Sequence, residues 1–351
     1  MNNKKMVRTI GIVYNLKKEG VNSDQYEEYD EWDTITALER EIKALGFEVI
    51  LLEQNESFLE RINSSRPDFV VNIAEGIGSS RMRESQVPCI LESLSIPYTG
   101  SDPLALGITL DKYLTNKLLK ASHVPVPEMH MIAKLSDIEA LKGIFKQYRN
   151  LIVKPRWEGS SKGIFLTSVV SDFQRLKEQA ERVLNEYNQP VVIEEFLEKS
   201  EITVGVCGNR HPRLLGMMKI MPRSQDKQFI YSQEIKRQWQ EKVTYEPQQS
   251  ILHALQSQVE YYAFKAFMAL ELRDVARIDF RVNSHNIPKI IDINPLPGLS
   301  PTYSDLPILC RLKEMTYSQL IRIILKEAFA RYGLKPDLYS AASTFEGSYA
   351  D

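Results

Sequence analysis

Cysteine is scarce. Cys89, Cys207 and Cys310 lie far apart, are odd in number and form no C-x-x-C pair, which excludes a disulfide framework and a thiolate zinc site. That usage fits a reducing cytoplasm. The five histidines (His123, His130, His211, His253 and His285) show no metal-ligand spacing. No run approaches the roughly 20 apolar residues of a membrane helix, and the stretch Ile10 to Tyr14, after the basic start, is too short for a signal-peptide core. Charge of one sign is also missing: 44 Lys and Arg against 46 Asp and Glu leave a net charge of -2, so composition gives no case for nucleic acid or an anionic membrane as the main partner. Glycine and proline (16 and 17) are too few for a disordered or fibrous chain. No Walker sequence and no G-x-G-x-x-G after a strand is present, which removes the main support for P-loop and dinucleotide readings.

What remains is a folded chain of 351 residues with 43% hydrophobic content, long enough for two or three domains. Arg8 to Tyr14, Phe47 to Leu52 and Phe69 to Ile73 are short β-branched or apolar runs. Asp33 to Leu45 between the first two has apolar residues at helical spacing and stops at Gly46. A βαβαβ unit with a parallel sheet is expected over residues 1–100. Its insertion, Asn15 to Glu31, ends in an acidic run and reads by default as a solvated loop, although it follows the first strand, where open α/β sheets bind ligands.

A second region, 101–188, has a helix at Leu110 to Ala121, an extended breaker at His123 to Pro127, a strand at Asn150 to Lys154 and a small-residue turn at Glu158 to Gly163. A third, 189–335, holds strands at Val191 to Phe196 and Ile202 to Cys207, a helix at Val259 to Leu272, a hairpin at Val275 to Val282 and Lys289 to Asn294, and a closing helix at Tyr317 to Tyr332. Residues 336–351 read as a flexible tail.

The hairpin carries the most chemistry. Alternation puts Ala276, Ile278 and Phe280 on one face and Arg277, Asp279 and Arg281 on the other. With the turn centred between His285 and Asn286, Asp279 faces Asp292 and Arg277 faces Asn294. Such a face either holds a hard divalent cation on oxygen ligands or is a solvated surface with cross-strand ion pairs. Upstream, Lys154 ends a buried strand just before Gly159, Ser160, Ser161 and Gly163: a cation plus a flexible loop suits a triphosphate. Trp32, Trp157 and Trp239 lie in polar segments, lining a site or capping it. Cys207, on an apolar strand, reads as a buried small hydrophobe.

These residues resemble the ATP-grasp superfamily, in its D-alanine:D-alanine ligase branch, from about Arg8 to Tyr332. The carriers are Asn72 to Gly76 (NIAEG), Ile96 to Ala105, Asp111 to Leu119, Ile152 to Gly163 (IVKPRWEGSSKG), Val192 to Val206 and the two hairpin strands with their sequel IDINPLPGLSP. The resemblance implies an α/β and α+β architecture: an ATP-grasp fold preceded by a doubly wound domain. It implies an ADP-forming ligase that uses ATP and two Mg²⁺ ions, with Mn²⁺ a substitute, on small carboxylate and amine substrates, as a homodimer.

Carried over by position, Lys112 and Lys154 are the phosphate and adenine-side lysines, with Ser160 and Ser161 in the loop over the phosphates. Glu194 accepts from the adenine amino group, the Glu195, Phe196 and Leu197 backbone is the hinge, and Glu201 binds ribose. Lys236 is the γ-phosphate lysine of a mobile segment, Gln225 to Ser250. Asp279, Asp292 and Asn294 are the metal ligands, and Arg277 with the Gly298 N–H stabilises the oxyanion. The substrate side holds Glu75, Arg81, Arg237, Tyr303 and Ser304, with Asp30 or Glu31 as the early acid. The branch's His-Gly is replaced by Glu75-Gly76, its acidic G-E-D-G gives way to Ser80, Arg81 and Arg83, and Arg237 stands where the branch has Tyr. A larger or more polar acceptor than D-alanine is therefore expected, in secondary metabolism or peptide tailoring. An authentic D-alanine:D-alanine ligase and a non-catalytic ATP-binding module are the alternatives.

Overall fold

The computed structural model describes residues 6–18, 26–223 and 229–336. The tail beyond Pro336, the centre of the acidic insertion and the start of the expected mobile segment lie outside them.

The chain opens with β1 (Met6–Val7), β2 (Thr9–Tyr14), α1 (Trp32–Ala44), β3 (Glu48–Glu53), α2 (Phe58–Ser65), β4 (Phe69–Asn72) and α3 (Gln86–Ser93). The expected parallel sheet forms in the order β3-β2-β4, and a bridge from Val70 to Tyr98 extends it. Gly11 packs closely in its central strand: a Cβ there would lie 3.1 Å from both Leu52 and Pro67, so either side chain would have to give way by a few tenths of an ångström.

Next come α4 (Pro103–Leu110), α5 (Lys112–Ala121), β5 (Met129–Ile132), β6 (Leu151–Pro155), β7 (Val169–Val170), α6 (Phe173–Tyr187) and β8 (Val191–Glu195). Leu110 does not start the helix expected at Leu110 to Ala121. It ends α4, and Asp111 is an extended N-cap whose side chain accepts from the Leu114 N–H, so two helices meet at a break. The break matters because it sets Lys112 at the head of α5. The strands form an antiparallel sheet ordered β5-β8-β6-β7.

The remainder is β9 (Glu201–Gly208), β10 (Arg213–Pro222), α7 (Gln233–Arg237), α8 (Trp239–Lys242), β11 (Val243–Pro247), α9 (His253–Ala269), β12 (Asp274–Val282), β13 (Pro288–Asn294), α10 (Asp305–Leu312), α11 (Tyr317–Tyr332) and β14 (Lys335–Pro336). Its antiparallel sheet runs β11-β10-β9-β12-β13. Thus β8 and β9, adjacent in sequence, belong to different sheets. The segment Gln225 to Ser250, expected as a long polar lid, contains two short helices and an edge strand, since β11 pairs with β10 from Met218↔Pro247 to Pro222↔Val243. The helix α11 returns to the first sheet: Phe329 packs edge-on against Phe69 at 4.8 Å between ring centroids, and β14 pairs in parallel with β1. Among the described residues no helix is long and apolar enough to cross a membrane.

Candidate active site

Two cavities adjoin. The larger, about 390 Å³, lies against the ends of the parallel strands; the smaller, about 70 Å³, lies between the two antiparallel sheets. Lys112, Lys236 and Asp292 line both, as do Tyr231 and Asp305.

The hairpin acids meet as expected: Asp279 pairs with Asp292 and Arg277 with Asn294. The turn is not centred where expected. From Phe280↔Ile290 to Val282↔Pro288 the register is one residue shorter, and a bulge at Ile291 makes up the difference. Ile291 and Asp292, successive residues, both line the smaller cavity. On the opposite face Ala276, Ile278 and Phe280 are fully buried.

Arg277 chelates Asp279 through Nε and Nη2, the latter at 3.0 Å, and lies 3.7 Å from Asp305. Burial alone would lower its pKa; Asp279 and Asp305 outweigh that and raise it, so the cation is secure. Burial would raise the Asp292 carboxyl, but Lys112 at 3.8 Å, with Arg277, Lys154 and Lys236, holds it below its ordinary value. Asp292 is therefore ionised, and Asn294 turns its amide nitrogen toward Asp279 at 3.4 Å, which leaves the amide oxygen for another partner. Two carboxylates and an amide oxygen suit Mg²⁺. Asp279 already accepts from Arg277, Thr203 and Asn294, and a carboxylate has about four lone-pair sites. A cation here draws first on Asp292 and Asn294 and shares Asp279 with Arg277.

In the smaller cavity Lys154 contacts Glu194 directly, both side chains being buried. Glu201 pairs with Arg281 at 3.3 Å, and burial pushes its carboxyl up against that attraction. Ile152, Phe196, Ile230 and Ile291 supply apolar walls. The expected hinge is partly committed already: the Glu195 and Phe196 N–H groups donate to the carbonyls of Glu128 and Asn150, the Leu197 carbonyl accepts from Arg281 Nε at 2.8 Å, and the Glu195 side chain meets Lys289 at 2.6 Å. Ser160 and Ser161 both hold positive φ, 48° and 59°, a tight turn whose Ser161 hydroxyl donates to the Tyr231 carbonyl at 2.9 Å. Lys112 Nζ donates to the Glu158 carbonyl at 2.6 Å.

The larger cavity departs most from expectation. Arg81, expected on the substrate side, does not line it; its side chain is 50% exposed and reaches Asp111 at 3.4 Å. The buried arginine is Arg83, which donates to Glu28 at 2.6 Å and to the Trp157 carbonyl at 2.7 Å. Glu28 in turn accepts from the Gly159 N–H at 2.6 Å. The acidic run is therefore not a solvated loop over its described part: Glu27 holds Arg237 at 2.9 Å, and Asp30, its carboxyl pushed up to about 7 by burial, lines the cavity with Glu31. Glu75, Tyr303, Ser304 and Arg237 do line it. Gly298 lines the cavity, and a Cβ there would come within 2.7 Å of Ser304 Oγ, so a larger residue would require the serine hydroxyl to turn away. Trp239 borders the same space.

Glu28, Glu84, Tyr231 and Asp305 were not singled out from the sequence. Tyr231 donates to Asp305 at 3.4 Å and shares a 2.7 Å hydrogen bond with Tyr245, and Lys236 lies 5.0 Å from the Tyr231 ring centroid. Burial raises the Asp305 carboxyl, with Arg277 and Lys236 opposing. Cys207 is buried and its thiol pushed up to about 11 by burial, as a structural residue should be.

The family described as D-ala D-ala ligase C-terminus matches residues 118–326, more than half of the chain. The chain belongs to the D-alanine:D-alanine ligase family. A D-alanine--D-alanine ligase of Carboxydothermus hydrogenoformans is 28% identical over 301 residues, 82% of this chain and 90% of that protein. An uncharacterised protein, y4sG of Sinorhizobium fredii, is also 28% identical, over 306 residues that make up 83% and 86% of the two chains. In fold, the ATP-complexed D-alanine--D-alanine ligase of Bacillus anthracis superposes with a TM-score of 0.69 at 24% identity, covering 93% of this chain and 98% of that one. As a family member the protein has the ATP-grasp fold and is an ATP-dependent, ADP-forming carbon–nitrogen ligase that acts on small molecules and uses a divalent metal.

Proposed function

We propose that the protein joins a substrate carboxylate to an amine through an acylphosphate, with ATP in the smaller cavity and the two substrates in the larger. The observation that carries this is the junction of the cavities at Lys112, Lys236 and Asp292, where a γ-phosphate held on one side meets a carboxylate held on the other. The carboxylate oxygen attacks the γ-phosphorus and ADP leaves. The amine nitrogen then attacks the acyl carbon, phosphate leaves and the nitrogen loses a proton. Lys112, Lys154 and Lys236 neutralise phosphate charge, and Arg277 with the Gly298 N–H stabilises the tetrahedral oxyanion. Mg²⁺ held by Asp279, Asp292 and Asn294 would screen the phosphates. Glu194, Glu201 and the Phe196 to Leu197 segment hold the nucleoside, and Ser160 and Ser161 cover its phosphates. The resemblance extends the proposal to a homodimer.

The acceptor side favours a substrate other than two alanines. Glu75 brings charge to the cavity wall, and charge left unpaired against a methyl group is costly; Arg237 lines the same wall but is held by Glu27 at 2.9 Å. Arg81, exposed at Asp111, has no part in that argument. ADP release measured over pairs of amino acids and carboxylic acids tests the reading. Turnover with a polar acceptor and little with D-alanine is the expected result. Efficient formation of D-alanyl-D-alanine from D-alanine alone would overturn it and leave a D-alanine--D-alanine ligase, the activity in the names of several relatives.

A further inference from the structure

Two carboxylates in the larger cavity have no ion-pair partner among the described residues, although Arg83 acts on both and Lys112 on Glu84. Glu75 follows β4 and Glu84 sits in the short 3-10 turn Arg83–Ser85. Gly76 brings them together: at φ +91°, a Cβ on it would lie 2.1 Å from the Arg83 carbonyl oxygen, so the two backbone segments touch. Both side chains line the cavity. Glu84 is only 8% exposed, and among the described residues neither carboxylate has a hydrogen bond or ion pair. The Arg83 guanidinium is committed to Glu28. Burial pushes the Glu84 carboxyl up to about 8 and raises Glu75 further with Glu84 beside it. Such a pair is short of positive charge.

A bare divalent ion is a poor match. It takes six or more oxygen ligands, and the two carboxylates here offer fewer protein ligands than Asp279, Asp292 and Asn294 do. An organic cation brings its own N–H donors and needs only acceptors. That cation is not the reacting amine, because two carboxylates would hold an ammonium protonated and without a nucleophilic lone pair.

The geometry points to a receptor in which Glu75 and Glu84 together take the ammonium or guanidinium group at the far end of a substrate side chain. The substrate class is then basic amino acids. This assignment rests on the ligase reading above and narrows it.

The test uses the full chain with ATP and Mg²⁺, comparing lysine and ornithine with norleucine and norvaline, both enantiomers, alone and paired with alanine. ADP release should favour the cationic member of each pair by at least about tenfold in kcat/KM, as a charge-assisted hydrogen bond implies. Glu84→Gln and Glu75→Gln should bring that ratio close to one, chiefly through KM, with melting midpoints taken to confirm that each variant folds. ADP release with equal use of norleucine and lysine overturns the receptor and leaves the ligase standing, as does a preference unchanged in both folded variants. Absence of ADP release with every pair overturns the ligase reading and the receptor with it.

Discussion

Replacing Arg83 with methionine removes the cation buried behind Glu28 of the cavity wall while keeping an unbranched apolar stem in its place. Arg83 and Glu28 are 3% and 5% exposed and 2.6 Å apart; a second acid, Glu158, stands 3.8 Å from Arg83 but retains Lys162 at 2.8 Å. The variant therefore strands one carboxylate, Glu28, away from water. Breaking a buried pair from one side costs about 3–5 kcal/mol, which for a chain of this size is a fall of roughly 5–10 °C in thermal midpoint. Removing both charges, in Arg83→Met with Glu28→Gln, should recover most of that loss, because the glutamine still accepts from the Gly159 N–H and no buried charge is left alone. Melts of the wild type, both single variants and the double variant at one pH complete the cycle. A drop under about 1 °C in Arg83→Met, or a double variant no more stable than that single one, would show that the pair is not buried and coupled as described. Glu28 also accepts from the Gly159 N–H, in the turn proposed to cover the phosphates, so Glu28→Ala, which loses that bond, should raise the KM for ATP as well.

Asp279→Asn and Asp292→Asn should each abolish Mg²⁺-dependent turnover, Asp292→Asn with little change in melting and Asp279→Asn with a fall, because it leaves the buried Arg277 with Asp305 at 3.7 Å as its remaining acid; full activity in both would remove the metal assignment. Stability should depend on pH through Glu84. Its folded carboxyl is raised to about 8 by burial, with Arg83 and Lys112 opposing and Glu28 and Asp292 adding, against 4.5 ordinarily. The folded state holds the proton longer, so this contribution is full below about pH 4.5 and is lost as pH rises through about 8; melts across that window should fall with pH, and the slope should flatten in Glu84→Gln. Breaking the Glu27–Arg237 latch with Glu27→Gln should speed limited proteolysis within 233–242, and Mg²⁺ with a non-hydrolysable ATP analogue should slow it again; cleavage indifferent to both changes would argue against a segment that closes on nucleotide.

What could be read ahead of the structure was whatever depends on local period. Strict alternation in β12 put Arg277 and Asp279 on one face, and the Asp279–Asp292 facing came out right although the turn was misplaced, because the bulge at Ile291 compensates one residue for one. Long-range burial could not be read. The run ending Glu27-Glu28-Tyr29-Asp30 has the composition of a solvated face, and it is Arg83 and the Gly159 N–H, 55 and 131 residues away, that turn Glu28 inward. Arg81 and Arg83 are equivalent in composition, yet one is at the surface and the other in the core; the 3-10 turn between them and Gln86 decides which. The single helix expected across Leu110 concealed the break at Asp111, whose extended backbone gave no apolar signal.

The bulge has one more consequence, for how this hairpin tolerates change in length. Since Ile291 is the extra residue, a chain lacking it would still set Asp279 opposite Asp292, in unbroken ladder with Phe280 and Ile290. What it would lose is an aliphatic wall of the smaller cavity. With ATP in the smaller cavity as proposed, the wall that meets the base and the acid that meets the phosphates stand on neighbouring residues of one strand, yet a single deletion would separate them and leave the acids in place.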